Sequence, residues 1–262
     1  VSHQESLLTD IKNNQLRLIG KPKIRFKEDP IRILRTIRFS AKLKMEIHKD
    51  TLNEITNSLG LLKSVPYSRL FDEIMKLFIT GISTDVGKTI ASAIIVEALQ
   101  ADYWKPIQAG DLDNSDSHKI QRYISNGKSV IHENSYKLNT PASPHLAAKL
   151  DGISIDLKNI IEPKTNNHLV IEGAGGVLVP LNNSDFVIDL VQPDYKIIIV
   201  SRHYLGSINH TLLTIEAIKN RGLSIAGIIF NGNENKATES LILNYSKLKF
   251  IGRINDEPYF DK

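Results

Sequence analysis

The run Gly81-Ile82-Ser83-Thr84-Asp85-Val86-Gly87-Lys88-Thr89 has the residue types of a phosphate-binding loop. Its glycines allow backbone angles that turn successive N–H groups toward phosphate oxygens, the Lys88 ammonium can reach the terminal phosphates, and the Thr89 hydroxyl can ligate Mg²⁺. The spacing between the glycines is one residue longer than in the common pattern. A chance pair of glycines is the alternative, but the run lies between a predicted strand and a predicted helix. We therefore expect nucleotide binding at this loop.

Two carboxylates could complete the oxygen shell that Mg²⁺ prefers. Glu172 ends a predicted strand and precedes the small residues Gly173-Ala174-Gly175-Gly176. Asp116 stands at a predicted helix start, where a plain N-cap is the alternative interpretation. Lys105 ends another predicted strand, so its ammonium should point into the same crevice, although a surface lysine is the alternative there. The pattern predicts a site that combines phosphate, metal and a lysine.

Alternating strands and helices, predicted from Leu77 onward, must position these residues. Predicted strands are Leu77–Thr80, Tyr103–Pro106, His168–Glu172, Lys196–Ser201, Ser224–Phe230 and Lys249–Ile254. Predicted helices are Lys88–Leu99, Ser143–Leu150, Ser207–Asn220 and Ala237–Tyr245. This order predicts an α/β domain over residues 78–262, with a mainly parallel sheet flanked by helices and with ligands at the carboxyl ends of its strands.

The first third of the chain has a different pattern. Apolar residues at helical spacing predict a helix over Pro30–Lys44, with Asp29 as its cap and Pro30 in its first position. A second helix is predicted over Lys49–Leu59 and should end at Gly60. A third should open at Pro66, with an apolar stripe formed by Leu70, Phe71, Ile74, Leu77 and Phe78. Residues 1–77 are therefore predicted to be a small all-helical segment without a sheet of its own.

Charge is distributed unevenly between these two parts. Residues 1–78 contain 15 Lys and Arg against 9 Asp and Glu, whereas the rest contains 18 against 20. Arg35, Arg38 and Lys42 gather on one face of the predicted first helix. Such asymmetry indicates an anionic partner for the N-terminal part, and a solvated basic face is the alternative.

The composition narrows the class of protein. With 41% hydrophobic and 24% charged residues the chain is globular in type, and without cysteine it has no disulfide, zinc ribbon, iron–sulfur cluster or thiol nucleophile. No apolar run approaches the roughly 18 residues of a membrane span, and the charged N-terminus lacks a signal-peptide core. We expect a cytoplasmic enzyme without a membrane partner; the chain begins with Val1, as a fragment would.

Seven motifs from Phe78 to about Ile254 together resemble the dethiobiotin synthetases, ATP-dependent ligases of biotin biosynthesis built on a P-loop NTPase-type fold. In chain order they are the phosphate loop, Trp104-Lys105-Pro106, Asn114-Ser115-Asp116, Pro141-Ala142-Ser143-Pro144-His145, Glu172-Gly173-Ala174-Gly175-Gly176, Leu205-Gly206-Ser207-Ile208-Asn209-His210 and Ala226-Gly227-Ile228-Ile229-Phe230-Asn231. A single motif of this kind is weak evidence, whereas seven in the family's order are specific.

The resemblance implies a set of site residues. Lys105 and Lys88 would be catalytic, and Asn231 would read the adenine edge. ATP binding is implied for Asp85, Val86, Gly87, Lys88, Thr89, Ile90, Asp116, Glu172, Gly173, Ala174, Gly175, Asn231 and Gly232. Mg²⁺ binding is implied for Thr89, Asp116 and Glu172, and substrate binding for Thr84, Lys105, Ala109, Gly206, Ser207 and Asn209.

The family's reaction gives these residues their implied roles. Diaminopelargonate reacts with CO₂ to form a carbamate, which takes the γ-phosphoryl group of ATP and is attacked by the neighbouring amine, with release of phosphate. Lys105 would stabilise the carbamate and its phosphorylated form by its charge. The substrate's distant carboxylate would bind at the helix start at Gly206-Ser207 and at Asn209, in a site completed across a homodimer.

Three departures from the family pattern stand out. Ala109 replaces the usual Ser or Thr, so a hydrogen bond to substrate is lost or comes from Gln108 or a water. The segment Gly252-Arg253-Ile254-Asn255 lacks the usual proline. The chain ends at Lys262, before the family's usual last helix. The first two are expected to tune affinity, and the third to affect stability or the nucleotide site.

The N-terminal segment, residues 2–78, resembles the neck of bacterial poly(A) polymerases and CCA-adding nucleotidyltransferases. The resemblance rests on four stretches of sequence: Gln15-Leu16-Arg17-Leu18-Ile19-Gly20, residues 25–35, Arg38-Phe39 and Arg69-Leu70-Phe71-Asp72-Glu73. In that family the element here formed by Glu28, Asp29 and Arg32 contacts the incoming nucleotide base. The catalytic head with its paired aspartates is missing, so nucleotidyl transfer is not expected.

Two alternative functions remain open at this stage. The basic helices could bind RNA while the α/β domain takes no part, although aromatic residues for stacking are sparse there. The α/β domain could also be a partitioning-type ATPase, but such ATPases carry a second lysine where this loop has Ile82.

Overall fold

A computed structural model describes residue 10 and residues 13–64 and 75–256 of the chain. It divides into two compact units, Val1–Glu73 and Ile74–Lys262. The predicted third helix and its stripe as far as Ile74 lie outside the described residues, and so does the C-terminal end from 257 to 262. No helix in the described ranges is both long and apolar enough to cross a membrane.

The N-terminal unit is small and largely helical. Its elements are β1 (Gln15–Leu16), α1 (Pro22–Glu28), α2 (Ile31–Leu43), β2 (Glu46–Ile47) and α3 (Lys49–Ser58), followed by a 3₁₀ helix over Leu59–Ser64. Phe26, Ile33 and Ile55 form its buried core. Two predicted helices are thus present, and α1 was not predicted.

Three local predictions for this unit were wrong. β1 and β2 pair in parallel, because Lys44 takes a left-handed conformation (φ 53°) and its carbonyl accepts the Asn14 amide at 2.9 Å, which directs the chain back beside β1. Pro30 rather than Asp29 is the N-cap of α2, since Pro30 lies just before the first helical residue and no side chain caps that end. Gly60 is not the residue that ends α3, because that helix already ends at Ser58 and Gly60 lies inside the 3₁₀ helix.

The second unit alternates strands and helices as predicted. Its elements are β3 (Lys76–Gly81), α4 (Lys88–Leu99), β4 (Asp102–Trp104), β5 (Ile107–Ala109), α5 (Asp116–Tyr123), β6 (Ile131–His132), β7 (Tyr136–Leu138), α6 (Pro144–Leu150), β8 (Leu169–Gly176), β9 (Lys196–Arg202), α7 (Ser207–Asn220), β10 (Ser224–Asn231), α8 (Lys236–Ser246) and β11 (Phe250–Ile254). Among these, β5 to β7 and the extent of α5 were not predicted.

A seven-stranded parallel sheet organises this unit, in the order β11-β10-β9-β3-β8-β4-β6. Its central strands are continuous apolar runs, such as residues 197–200 and 169–171, because helices cover both faces of a parallel sheet and both must be buried. The predicted α/β fold with a mainly parallel sheet is confirmed.

The predicted strand Tyr103–Pro106 is two strands. β4 pairs with β8 only as far as Trp104, because Pro106 has no N–H to donate, and its carbonyl accepts the N–H groups of Ser135 and Tyr136 instead. β5 then leaves the main sheet and pairs with β7. Lys105 lies at this break, just beyond the edge of the sheet where ligands bind in open α/β folds.

Candidate active site

The phosphate loop connects β3 to α4 and has the tight geometry that its glycines require. Gly87 is the N-cap of α4 with φ 94°, and a Cβ there would lie 2.3 Å from Asn231 Nδ2. Asn231 Nδ2 donates to the Val86 carbonyl at 2.9 Å. Asp85 also has positive φ, at 56°. The end of β10 therefore holds the loop in place, and no side chain larger than hydrogen fits at position 87.

Lys88 and Thr89 open α4 and point in different directions. The Lys88 ammonium is buried and donates back to the Ser83 carbonyl at 3.0 Å. Burial lowers the pKa of Lys88, although Glu172 attracts its charge. Thr89 Oγ1 donates to Glu172 Oε1 at 3.0 Å. The loop and the strand end at Glu172 are thus joined by a direct hydrogen bond.

Lys105 lies between two carboxylates from distant parts of the chain. Its Nζ donates to Asp116 Oδ2 and, at 3.1 Å, to Glu172 Oε1. The Glu172 residue is 1% exposed and Lys105 6%. Burial alone would lower the pKa of Lys105, but the charges of Glu172 and Asp116 raise it above its usual value. Burial would raise the pKa of Asp116, but Lys105 lowers it, so this pair is charged at neutral pH.

The segment around Lys105 contributes two further contacts that sequence reasoning missed. The Tyr103 hydroxyl donates to Glu172 Oε2 at 3.1 Å, and Gln108 Oε1 accepts the Asp116 N–H at 3.3 Å. Side chains two apart in a strand share a face, so the Tyr103 and Lys105 positions carried a signal of proximity. Gln108 Nε2 also donates to Gly110 O at 3.0 Å, so both ends of that amide have a partner; the expectation that Gln108 or a water replaces the hydroxyl missing at Ala109 stays a prediction.

Asp116 is not an N-cap, which settles the alternative raised from its position. Ser115 is the N-cap of α5, and its hydroxyl accepts the His118 N–H. Asp116 is the first helical residue, and its carboxylate is directed to Lys105 and, at 3.6 Å, to Lys119. Lys119 was missed, although its position three residues after Asp116 puts both on one helix face.

The donor set around Lys105 fits Mg²⁺ in chemical type. Thr89, Asp116 and Glu172 offer hydroxyl and carboxylate oxygens, the ligands that Mg²⁺ prefers. Within the described ranges there is no group of three or more His, Cys, Asp or Glu side chains that could hold a metal. A magnesium ion here would need phosphate or water oxygens to complete its shell, as is usual for this ion.

A cleft of about 730 Å³ opens over these residues. Predicted site residues that line it are Thr84, Asp85, Gly87, Lys88, Thr89, Ile90, Lys105, Ala109, Asp116, Glu172, Ala174 and Gly175. The motif segment Pro141-Ala142-Ser143-Pro144 forms another part of the wall, together with the unpredicted Lys119 and Tyr123. Most of the phosphate, metal and lysine residues therefore meet in one cavity.

Seven predicted residues are not part of that lining: Val86, Gly173, Gly206, Ser207, Asn209, Asn231 and Gly232. Val86 is buried, and a Cβ at Gly173 would lie 3.1 Å from the Phe78 ring. Gly206 is the N-cap of α7 with φ 99°, and the next two predicted residues lie in its first turn. Leu205, just before this turn, is fully exposed.

The segment that lacks the family's proline, 252–255, carries an ion pair. Arg253 in β11 pairs with the Glu239 carboxylate of α8 and reaches the Gly232 carbonyl at 3.4 Å. Burial would raise the pKa of Glu239, but Arg253, the Asn235 N–H and His203 outweigh it and lower that pKa to about 2. This pair fastens the turn that follows Asn231 to the neighbouring helix.

Comparison with protein families gives two matches along the chain. Residues 75–262 match the family model described as "AAA domain". Residues 44–86 match the one described as "Probable RNA and SrmB- binding site of polymerase A". The second match covers the later part of the predicted segment 2–78 and extends into the phosphate loop.

Comparison with single proteins is more specific. The chain is 60% identical over 185 residues to the ATP-dependent dethiobiotin synthetase BioD of Christiangramia forsetii, covering 71% of this chain and 89% of the relative. It is 51% identical over 189 residues to that of Cytophaga hutchinsonii, covering 71% and 91%. A solved ParA family ATPase from Chlorobium tepidum aligns with a TM-score of 0.44 and 12% identity, over 71% of this chain and 86% of that chain, and a similarity that low assigns no function. By its identity to these synthetases over nearly their whole length, the chain belongs to the ATP-dependent dethiobiotin synthetase family.

Proposed function

We propose that the chain is an ATP- and Mg²⁺-dependent dethiobiotin synthetase. It joins 7,8-diaminononanoate (diaminopelargonate) and CO₂ and closes the ureido ring, while ATP is converted to ADP and phosphate. The observation that supports this most directly is the buried Lys105, held between Asp116 and Glu172 and joined through Glu172 to Thr89 of the phosphate loop.

The binding steps follow from this arrangement. ATP phosphates bind along the loop amides from Asp85 to Thr89, where the start of α4 and the Lys88 ammonium favour anions. Thr89, Asp116 and Glu172 would hold Mg²⁺, which would supply charge neutralisation of the phosphates. Asn231 and Gly232 hold the base from the end of β10. Because Asn231 Nδ2 already donates to Val86 O, a single side chain links base recognition to the phosphate loop.

Lys105 stabilises anionic reaction states, a role that suits an ammonium group whose pKa is raised. One substrate amine adds to CO₂ and loses a proton, giving a carbamate anion next to this cation. The carbamate oxygen takes the γ-phosphoryl group, and the second amine then attacks the carbamate carbon and displaces phosphate. In the buried cleft the fixed positive charge of Lys105 stabilises the anionic states without reorganisation of water.

A phosphate-release assay with the full chain tests this proposal. We expect phosphate and dethiobiotin in equal amounts when Mg·ATP, bicarbonate and diaminononanoate are all present. Omission of the diamine is the control. No phosphate above that control would refute the proposed function.

We further propose that the enzyme acts as a homodimer whose partner completes the substrate site. Gly206, Ser207 and Asn209 do not line the cleft of their own chain, and the exposed Leu205 lies beside them. The start of α7, where the helix dipole favours negative charge, suits the substrate carboxylate of a facing subunit. Sedimentation of the full chain should give twice the monomer mass, and Leu205→Asp should shift it to a monomer that has lost activity.

RNA binding by the N-terminal unit is a second candidate function, supported by the family match over 44–86. Exposed basic residues on and before α1, Lys21, Lys23 and Lys27, provide positive charge. Binding of labelled RNA should weaken steeply with salt, and no binding at low salt would refute it.

Two further expectations stay predictions. One is the domain boundary between residues 77 and 78, and the other is the cytoplasmic location, which cell fractionation would test.

A further inference from the structure

The segment that carries Lys105 also contacts both residues whose carboxylates flank this lysine, Glu172 at its carboxylate and Asp116 at its main-chain N–H. We propose, on the basis of the proposed function, that Tyr103 and Gln108 are positioning residues that orient Glu172 and Asp116 toward the metal and phosphates. Neither was singled out by the motif analysis for this role. Each makes one hydrogen bond to a different carboxylate residue.

The two carboxylate oxygens of Glu172 have different hydrogen-bond partners, and Tyr103 binds one of them. Oε1 accepts from Thr89 and Lys105, at 3.0 and 3.1 Å, whereas Oε2 accepts from the Tyr103 hydroxyl. Tyr103 is fully buried and does not line the cleft. A carboxylate that is held at Oε2 cannot rotate freely about its terminal torsion, so Oε1 stays directed toward Thr89 and the phosphate loop.

Gln108 fixes the start of the helix that carries Asp116. The first N–H groups of a helix have no partner within the helix, and Gln108 Oε1 accepts that of Asp116 from the cleft side. The other end of the amide is anchored, since Nε2 donates to Gly110 O and Gly110 is packed against Pro141, only 2.6 Å from where its Cβ would be. The buried amide therefore sets the distance between β5 and α5.

Two conservative variants separate positioning from simple packing. Tyr103→Phe keeps the buried ring and removes only the hydroxyl, and Gln108→Met keeps the length of the side chain and removes both hydrogen bonds. Tyr136→Phe and Gln121→Met are matched controls. Tyr136 bonds the Asp156 carbonyl, Gln121 lies on the exposed side of α5, and neither lines the cleft.

Metal affinity is the readout that a packing role alone would not change. Mn²⁺ prefers the same oxygen ligands as Mg²⁺ and can be titrated by electron paramagnetic resonance, on the full chain with a non-hydrolysable ATP analogue. Loss of an outer partner of a metal ligand usually weakens metal binding about 10- to 100-fold, and we expect about 10-fold for each variant. Both controls should match the unmodified chain. In phosphate release, kcat should fall while KM for the diamine stays the same.

Unchanged Mn²⁺ affinity in folded Tyr103→Phe and Gln108→Met would overturn the proposal. So would an equal loss in the two controls, because it would mean general loosening of the fold. Circular dichroism shows whether each variant folds. If one does not fold, the Mn²⁺ affinity of the other tests the proposal. If the unmodified chain binds Mn²⁺ with the analogue but makes no dethiobiotin, the proposed function fails, while the titration still judges the positioning role.

Discussion

Both units of this molecule contain cations that lie between two carboxylates, and the Arg32 cluster of the first differs from the Lys105 cluster of the second in almost every physical respect. In the N-terminal unit Arg32 lies 3.7 Å from both Glu28 and Asp29, its neighbours along the chain. In the α/β unit Lys105 joins Asp116 and Glu172, which come from α5 and β8. The side chains of the first cluster are 29%, 49% and 30% exposed, and those of the second 7%, 18% and 1%.

This difference separates a surface arrangement from a site. Ion pairs between exposed neighbours form wherever the sequence spacing allows and contribute about 0 to 1 kcal/mol each. A buried cluster loses the hydration of three charges, which its attraction only partly offsets. Such a cost is acceptable where the charges have a function, and the proposed function gives them one, the binding of phosphate, metal and carbamate.

Replacement of Lys105 should give the largest effect. Lys105→Met removes the positive charge that bridges Asp116 and Glu172, so the anionic carbamate of the proposed reaction loses its stabilisation. We expect kcat for phosphate release to fall about 100- to 1000-fold, the usual effect of removing one charge-stabilising donor. If the activity stayed within a factor of three of that of the unmodified chain, the Lys105 cluster would contribute no more to catalysis than the Arg32 cluster.

The Glu239–Arg253 pair tests whether burial by itself gives an ion pair a stabilising role. The folded pKa of Glu239, about 2, lies below its usual value of 4.5, so its contribution is present above pH 4.5 and is lost as the pH falls toward 2. At neutral pH we expect Glu239→Gln to lower the free energy of unfolding by roughly 2 to 3 kcal/mol. Urea unfolding at pH 7 and at pH 3 measures this. The variant should differ less from the unmodified chain at pH 3, and an equal difference at both pH values would contradict the assignment.

Thr89 tests the link between the buried cluster and the phosphate loop. Thr89→Val keeps the shape of the side chain and removes the hydroxyl that bonds Glu172. We expect the affinity for Mg·ATP to fall about 10-fold, as for a lost metal-ligand contact, with little change for ATP without metal. Calorimetric titration with and without Mg²⁺ gives both affinities, and equal losses in the two would assign Thr89 to phosphate binding alone.

The surface cluster should give the smallest effect. Arg32→Met removes both ion pairs of Glu28 and Asp29 that involve Arg32, yet these pairs are already solvated. We expect a change in unfolding free energy of at most about 0.5 kcal/mol and unchanged phosphate release. A larger loss of stability would show that exposure does not distinguish the two clusters.

Much of the α/β unit could be predicted because its signals are local. The helices Lys88–Leu99 and Ser207–Asn220 have the predicted bounds, since apolar spacing marks both helices and a glycine, Gly87 or Gly206, precedes each. The break after Trp104 was missed because a proline permits either an edge strand or a kink, and only the pairing of β5 with β7 selects the kink. The contacts of Tyr103 and Gln108 were missed because their partners lie 69 and 8 residues away.

By itself, the sequence determined the family, the phosphate loop, the alternation of strands and helices, and the identity of the lysine and two carboxylates. These properties depend on residue type and short spacing, which a chain carries before it folds. Only the tertiary structure decided that Lys105 lies between both carboxylates, that Gln108 accepts the N–H of Asp116, and that the α7 segment does not line the cleft. Those outcomes depend on which strand ends meet at the sheet edge and on which polar groups must find partners once water is removed.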